Sequence, residues 1–157
     1  MEIGIILAII GAVLAVVLPS IGSATAVSQV GRSAAGLTAE EPEKFGKALL
    51  LQVLPGTQGI YGFLAAVLVL QKIGIFEGEV VAISNTIGWQ IIFACLPIAI
   101  AGLFSGILQG KVSIAGVSIL AKRAEESGKA IILSAMVETY AVISLLATIL
   151  ILNGITV

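Results

Sequence analysis

Ile131-Ile-Leu-Ser-Ala-Met-Val-Glu138-Thr-Tyr-Ala-Val-Ile-Ser-Leu-Leu-Ala-Thr-Ile-Leu-Ile-Leu-Asn153 holds one charge in an otherwise apolar run. A helix needs about 20 apolar residues to cross a bilayer, and this run supplies them. A carboxylate near its middle costs about 3 kcal/mol on insertion scales if left bare. An intramembrane carboxylate is therefore read first as a functional site, one that binds or transfers a cation. The competing reading is a Glu in a packed interface, satisfied by hydrogen bonds.

The remainder of the 157 residues agrees with a membrane setting: 59% are hydrophobic and 11% charged. A soluble domain of this size has too little interior to hide that much apolar surface. The net charge of −1 supplies no basic patch for nucleic acid. Histidine is absent, which removes the commonest transition-metal ligand and the usual general base. The single cysteine, Cys95, lies in an apolar run and reads as inert packing. Glu2 stands where a signal peptide would be basic, so the N-terminal run reads as a retained helix.

Four apolar runs follow, at roughly Ile3–Leu37, Glu43–Gln71, Ser84–Leu120 and Lys129–Leu152. Polar turns separate them: Thr38-Ala-Glu-Glu-Pro42, Glu77-Gly-Glu79 and Lys122-Arg-Ala-Glu-Glu-Ser127. The second half repeats the first. Phe45-Gly-Lys-Ala-Leu-Leu-Leu51 matches Ser127-Gly-Lys-Ala-Ile-Ile-Leu133 at an offset of 82, which places Gly56 opposite Glu138, Thr57 opposite Thr139 and Ser23 opposite Ser105. The expected architecture is all-α: two duplicated helical hairpins, residues 1–78 and 79–157, with the carboxylate only in the second. One site per chain follows.

Arg32, Lys44 and Lys47 flank the first turn, and Lys111, Lys122, Arg123 and Lys129 the third; Lys72 alone lies on the opposite side. The positive-inside rule then puts both hairpin turns in the cytoplasm and both termini outside, with Trp89 near the outer interface.

Gly102-x-x-x-Gly106-x-x-x-Gly110 in span three and Ser20, Gly22, Ala24, Ala26 and Ser28 in span one let backbones approach closely in lipid. Two readings fit: packing within one chain, or an inner ring of spans one and three from many copies. In Leu54-Pro-Gly-Thr-Gln-Gly-Ile-Tyr61, residues three and four apart share a helix face, so Leu54, Thr57, Gln58 and Tyr61 form one stripe. Pro55 lacks an N–H and loosens the turn, which can leave backbone oxygen available. Gln109 adds a second mid-span amide. Each of these groups fits interhelical hydrogen-bond glue as well as ligation. Together with Glu138 they form an all-oxygen set with one negative charge, suited to a hard monovalent cation. A proton needs only the carboxylate, so the surplus of neutral oxygens favours Na+ over H+.

Leu54-Pro-Gly-Thr-Gln-Gly-Ile-Tyr-Gly62, Gly102-Leu-Phe-Ser-Gly-Ile-Leu-Gln-Gly110 and Met136-Val-Glu-Thr-Tyr140 closely resemble the rotor proteolipids of V-type ATPases, above all their bacterial sodium-pumping branch. The resemblance covers essentially the whole chain. It implies Na+ ligation by the Leu54 carbonyl, Thr57, Gln58, Gln109 and Glu138, with Tyr61 hydrogen-bonding the carboxylate. It further implies a homo-oligomeric ring in the cell membrane, a stator subunit with an essential arginine, and central-stalk subunits driven by ATP hydrolysis elsewhere. The chain itself carries no G-x-x-x-x-G-K-[ST] phosphate loop and is expected to be non-catalytic. The alternatives are the same rotor carrying H+, a small multidrug exporter with four spans and one membrane Glu, and a structural or channel-forming oligomer. The exporter reading leaves the duplicated hairpin unexplained; the structural one leaves Glu138 and the Thr57–Gln58–Tyr61 stripe without purpose.

Overall fold

The computed structural model describes residues 3–78 and 80–157. Glu2, on which the N-terminal reading rests, and Glu79, in the turn between spans two and three, lie outside the described residues. Among the described residues every regular element is helical: α1 (Ile3–Glu40), α2 (Phe45–Val53), α3 (Thr57–Lys72), α4 (Asn85–Lys122) and α5 (Ser127–Gly154). The second span is α2 and α3 joined by a 3-10 turn at Leu54–Gly56; similar turns at Pro42–Lys44 and Ala124–Glu126 open spans two and four. Four helical segments are thus long and apolar enough to cross a membrane. At 38 residues each, α1 and α4 are about 57 Å long and overreach a hydrocarbon core of about 30 Å.

α1 and α4 lie against each other along their lengths, and small residues explain how. A Cβ on Gly110 would stand 2.6 Å from the Ala26 Cβ, and one on Gly88 2.6 Å from the Gly4 carbonyl oxygen. Gly22 and Ala26 of span one and Gly102, Gly106 and Gly110 of span three thus serve close packing within the chain, while Ala24 and Ser28 stay exposed. α3 packs on α1, α4 and α5, and α5 on α4.

The turns have local causes. The residue after α3, Ile73, is followed by Gly74 at φ 76°, a left-handed conformation that glycine adopts without penalty. The Ile75 N–H reaches the Leu70 carbonyl and the Gly74 N–H that of Gln71, a Schellman closure that satisfies the last carbonyls. Ser84 caps α4, its hydroxyl accepting from the Ile87 N–H. At the other end, Lys44 donates to the Ala121 carbonyl in the last turn of α4, at 2.8 Å, and complements its negative end, while Lys47 donates at 2.9 Å to the Ala124 carbonyl in the turn beyond. Pro97 lies inside α4, which continues through it; the next amide, Ile98 N–H, is directed to the Thr148 hydroxyl.

The interior is layered. One apolar cluster, including Ala12, Val69, Ile91 and Leu152, fills the half near the turn between spans two and three. A second, including Val30, Leu51, Val117 and Ala130, fills the half near the two hairpin turns. Between them lies a band of buried polar side chains: Ser23, Gln58, Ser105, Gln109, Ser113 and Ser134. Glu138 stands at this level.

Candidate ion-binding site

Pro55 decides the local backbone. Without an N–H it cannot complete the α-helical ladder, and the chain tightens into the Leu54–Gly56 3-10 turn before α3 begins. The Leu54 carbonyl then accepts from the Thr57 N–H and, at 3.1 Å, from the Thr57 hydroxyl. A hydroxyl can rotate, so Thr57 can release that oxygen for another partner. Two residues further on, the Gly59 N–H donates to Ser23 Oγ at 3.0 Å. The first turn of a helix has orphan N–H groups, and here a serine on α1 takes one of them. That bond fixes the rotation of the turn carrying Thr57 and Gln58.

Gln58 and Gln109 are both fully buried. Gln58 Nε2 donates to Gln109 Oε1 at 2.5 Å, joining α3 to α4. Among the described residues, Gln58 Oε1 and Gln109 Nε2 find no hydrogen-bond partner. An unpaired buried amide atom costs about 1–3 kcal/mol, and here two coincide in one pair. A cation would satisfy Gln58 Oε1. Tyr61, one turn along α3, donates its hydroxyl to Glu138 Oε1 at 2.5 Å. Glu138 is half-buried. On its open side it borders a groove of about 280 Å³ lined by Ala135, Glu138, Thr139, Val142 and Ile143.

The six expected positions thus divide into Leu54–Thr57, Gln58–Gln109 and Tyr61–Glu138, three hydrogen-bonded pairs gathered at the start of α3. The donor set is oxygen-only with a single carboxylate, and among the described residues no three His, Cys, Asp or Glu side chains cluster. That chemistry suits one monovalent hard cation and does not neutralise a divalent one. The site draws on both hairpins: Leu54, Thr57, Gln58 and Tyr61 from the first, Gln109 and Glu138 from the second. Ser23 is the participant that sequence reasoning missed as such; its repeat mate Ser105 turns back onto the Gly102 carbonyl instead.

A family model for the C subunit of ATP synthase matches residues 10–69 and again residues 92–151, the second match displaced by 82 from 10 to 92 and from 69 to 151. The chain belongs to the ATP synthase C-subunit family. It is 48% identical over 152 residues to the V-type sodium ATPase subunit K of Enterococcus hirae, covering 96% of this chain and 94% of that one. It is also 40% identical over 151 residues to the A-type ATP synthase subunit K of Methanocaldococcus jannaschii, covering 96% of this chain and 64% of that one. The two matched copies differ in chemistry. Thr139 donates to the Met136 carbonyl at 2.8 Å, reproducing the Thr57–Leu54 contact. At offset 82, however, Glu138, Gln109 and Gln58 correspond to Gly56, Val27 and Tyr140. A hydroxyl–carbonyl pair alone does not make a site; the carboxylate and two amides are what distinguish one.

Proposed function

We propose that this chain is the ion-carrying rotor subunit of a V-type rotary ATPase, with Na+ as its cargo, held by Glu138, Gln109, Gln58, Thr57 and the Leu54 carbonyl. The observation that carries the reading is the buried Gln58–Gln109 pair with an unpartnered Gln58 oxygen, one turn from the Tyr61–Glu138 hydrogen bond. A carboxylate alone would serve a proton, whereas neutral buried oxygens serve an ion that must shed its water. The sodium ATPase relative supports the same choice.

In this reading the first hairpin (1–78) and the second (79–157) contribute one site per chain, and identical copies form a ring in the cell membrane. ATP is hydrolysed by other subunits, and stalk subunits transmit the rotation; this chain is non-catalytic. Inside the ring, Na+ neutralises Glu138 in surroundings of low dielectric, and Tyr61 keeps the carboxylate turned inward. Exchange takes place through the groove beside Thr139 and Val142, where a stator arginine can balance the carboxylate while the ion is absent.

A hydrophobic carbodiimide partitions into the bilayer, so it should reach and label Glu138 and leave the exposed glutamates of the turns largely alone. Because Na+ and H+ compete for one group, sodium at fixed pH should protect Glu138, and protection should weaken as pH falls. Labelling indifferent to sodium would favour the proton as cargo. By the positive-inside rule, the basic residues around both hairpin turns favour a cytoplasmic position for those turns. Cysteines at Glu41 and Glu126 should then resist impermeant thiol reagents added outside intact cells, while one at Glu77 reacts; the reverse pattern would overturn the orientation.

A further inference from the structure

α5 brings Glu138 to the site, and it is the least buried of the four spans. Its buried stripe is Ala130, Ser134, Ala141, Thr148 and Leu152. Two members of that stripe are polar, and each bonds to α4. Ser134 shares a hydrogen bond of 2.7 Å with the Ser113 hydroxyl, and the Thr148 hydroxyl accepts from the Ile98 N–H at 3.3 Å. The Thr148 bond serves an amide next to Pro97. The serine bond meets no such backbone need, because both helices run unbroken past it. Yet Ser113 and Ser134 are both fully buried.

α4 and α5 run antiparallel from their shared turn, so facing residues are found by stepping back along one and forward along the other. Near the turn, a Cβ on Gly116 would meet the Ala130 Cβ at 3.2 Å. Ser113 and Ser134 form the next level. Four residues further from the turn on each helix, and on the same faces, stand Gln109 and Glu138. The first hairpin keeps this register with different side chains. Eighty-two residues earlier the two levels are Gly31 with Gln52 and Val27 with Gly56. A Cβ on Gly31 would stand 2.5 Å from Gln52 Nε2, and one on Gly56 3.6 Å from Val27 Cγ2. Gly31 has no side chain to bond. The hydroxyl bond at this level thus belongs to the hairpin that carries the carboxylate, one turn away from it.

We propose that the Ser113–Ser134 bond is a positioning device for the ion site: it fixes the roll of α5 on α4 and so holds the Glu138 carboxylate at the distance from the buried amides that Na+ requires. A carboxylate rides near the outer radius of its helix, about 6 Å from the axis, so a roll of about 20° carries it about 2 Å. That is close to a whole cation–oxygen bond length. The neighbours of Ser134 and Glu138 in the buried stripe are Ala130 and Ala141, whose short side chains interlock little against a roll. A proton is insensitive to the roll, because it travels with the carboxylate. Na+ is sensitive, because it must reach the oxygens of Glu138 and of the two amides at once. The serines act through Glu138 and touch no ion themselves. The inference rests on the sodium reading above.

The test is carbodiimide labelling of Glu138 in the assembled ring at fixed pH, with sodium titrated, for Ser113→Ala, Ser134→Ala and the double variant. Each single variant should need about 3- to 10-fold more sodium for half-maximal protection, the scale of one hydrogen bond. Labelling without sodium should stay at the unaltered level. The double variant should shift no further than the singles, because both residues act through one bond. It also leaves no lone buried hydroxyl, so it carries the test if a single variant fails to assemble. Thr148→Val is the control. It removes the other bond from α5 to α4, about 15 Å along the helix from Glu138, and should lower the thermal stability of the ring without changing the sodium needed. Serine variants protected like the unaltered chain, or a Thr148→Val shift as large as theirs, would overturn the positioning role and leave the sodium reading standing. An unaltered ring that sodium does not protect would overturn both.

Discussion

Replacing Glu138 by Gln should abolish sodium-coupled transport while the protein still folds and assembles. The amide is nearly isosteric with the carboxylate, and its oxygen can still accept the hydroxyl of Tyr61, which now meets Glu138 Oε1 at 2.5 Å. The charge is lost. An ion stripped of water then faces only neutral oxygens. Removing one partner of a buried charge pair costs about 3–5 kcal/mol, which corresponds to a loss of more than about 100-fold in ion affinity. The measurement is sodium uptake and sodium-stimulated ATPase activity in membranes, with ring assembly checked on native gels. Retained transport by Glu138→Gln would remove Glu138 from the pathway. A failure to assemble would mean that the carboxylate is structural, as in the packed-interface reading.

The second large effect concerns the amides. Gln109→Ala and Gln58→Ala each remove a neutral oxygen from a fully buried position, and each leaves its partner amide without its bond. The dehydration cost of the ion is unchanged, so the loss should be about 1–3 kcal/mol, or about 10- to 100-fold in the sodium concentration for half-maximal activity. Maximal turnover at saturating sodium should change far less. Tyr61→Phe removes an orienting hydrogen bond but no ligand and should shift the concentration less. Ser23→Ala, which frees the Gly59 N–H at the first turn of α3, should shift it in the same direction by a similarly modest factor. If both Gln variants keep the wild-type sodium requirement, the amides are interhelical glue and the proton becomes the better cargo.

The spans and the carboxylate were legible in sequence because they are one-dimensional signals. Long apolar runs, a duplicated Gly-Lys-Ala motif and one charge in Ile131–Asn153 need no knowledge of packing. The 3-10 break at Leu54–Gly56 was legible for a similar reason: proline acts on its own backbone. The stripe of Thr57, Gln58 and Tyr61 follows from helix periodicity alone. What periodicity does not give is the rotation of one helix against another. The sharing of an amide bond by Gln58 and Gln109 depends on how α3 rolls on α4. Ser23 could be aligned with Ser105, but its contact with the Gly59 N–H exists only once α1 and α3 are docked. The lysine contacts to Ala121 and Ala124 carbonyls likewise join residues 77 apart in sequence. Which of the small residues pack inside the chain also had to wait for the glycine contacts: Gly22 and Ala26 meet span three, whereas Ala24 and Ser28 stay exposed.

The central claim is that the oxygens gathered around Glu138 hold a dehydrated sodium ion. Sodium-22 binding to the purified ring at fixed pH tests it most directly, for the unaltered chain and for Gln109→Ala. The account predicts saturable binding approaching one ion per chain, weakened as pH falls. Gln109→Ala should need about 10- to 100-fold more sodium to reach half occupancy. No saturable binding to an intact unaltered ring, or equal affinity in the two forms, would contradict it.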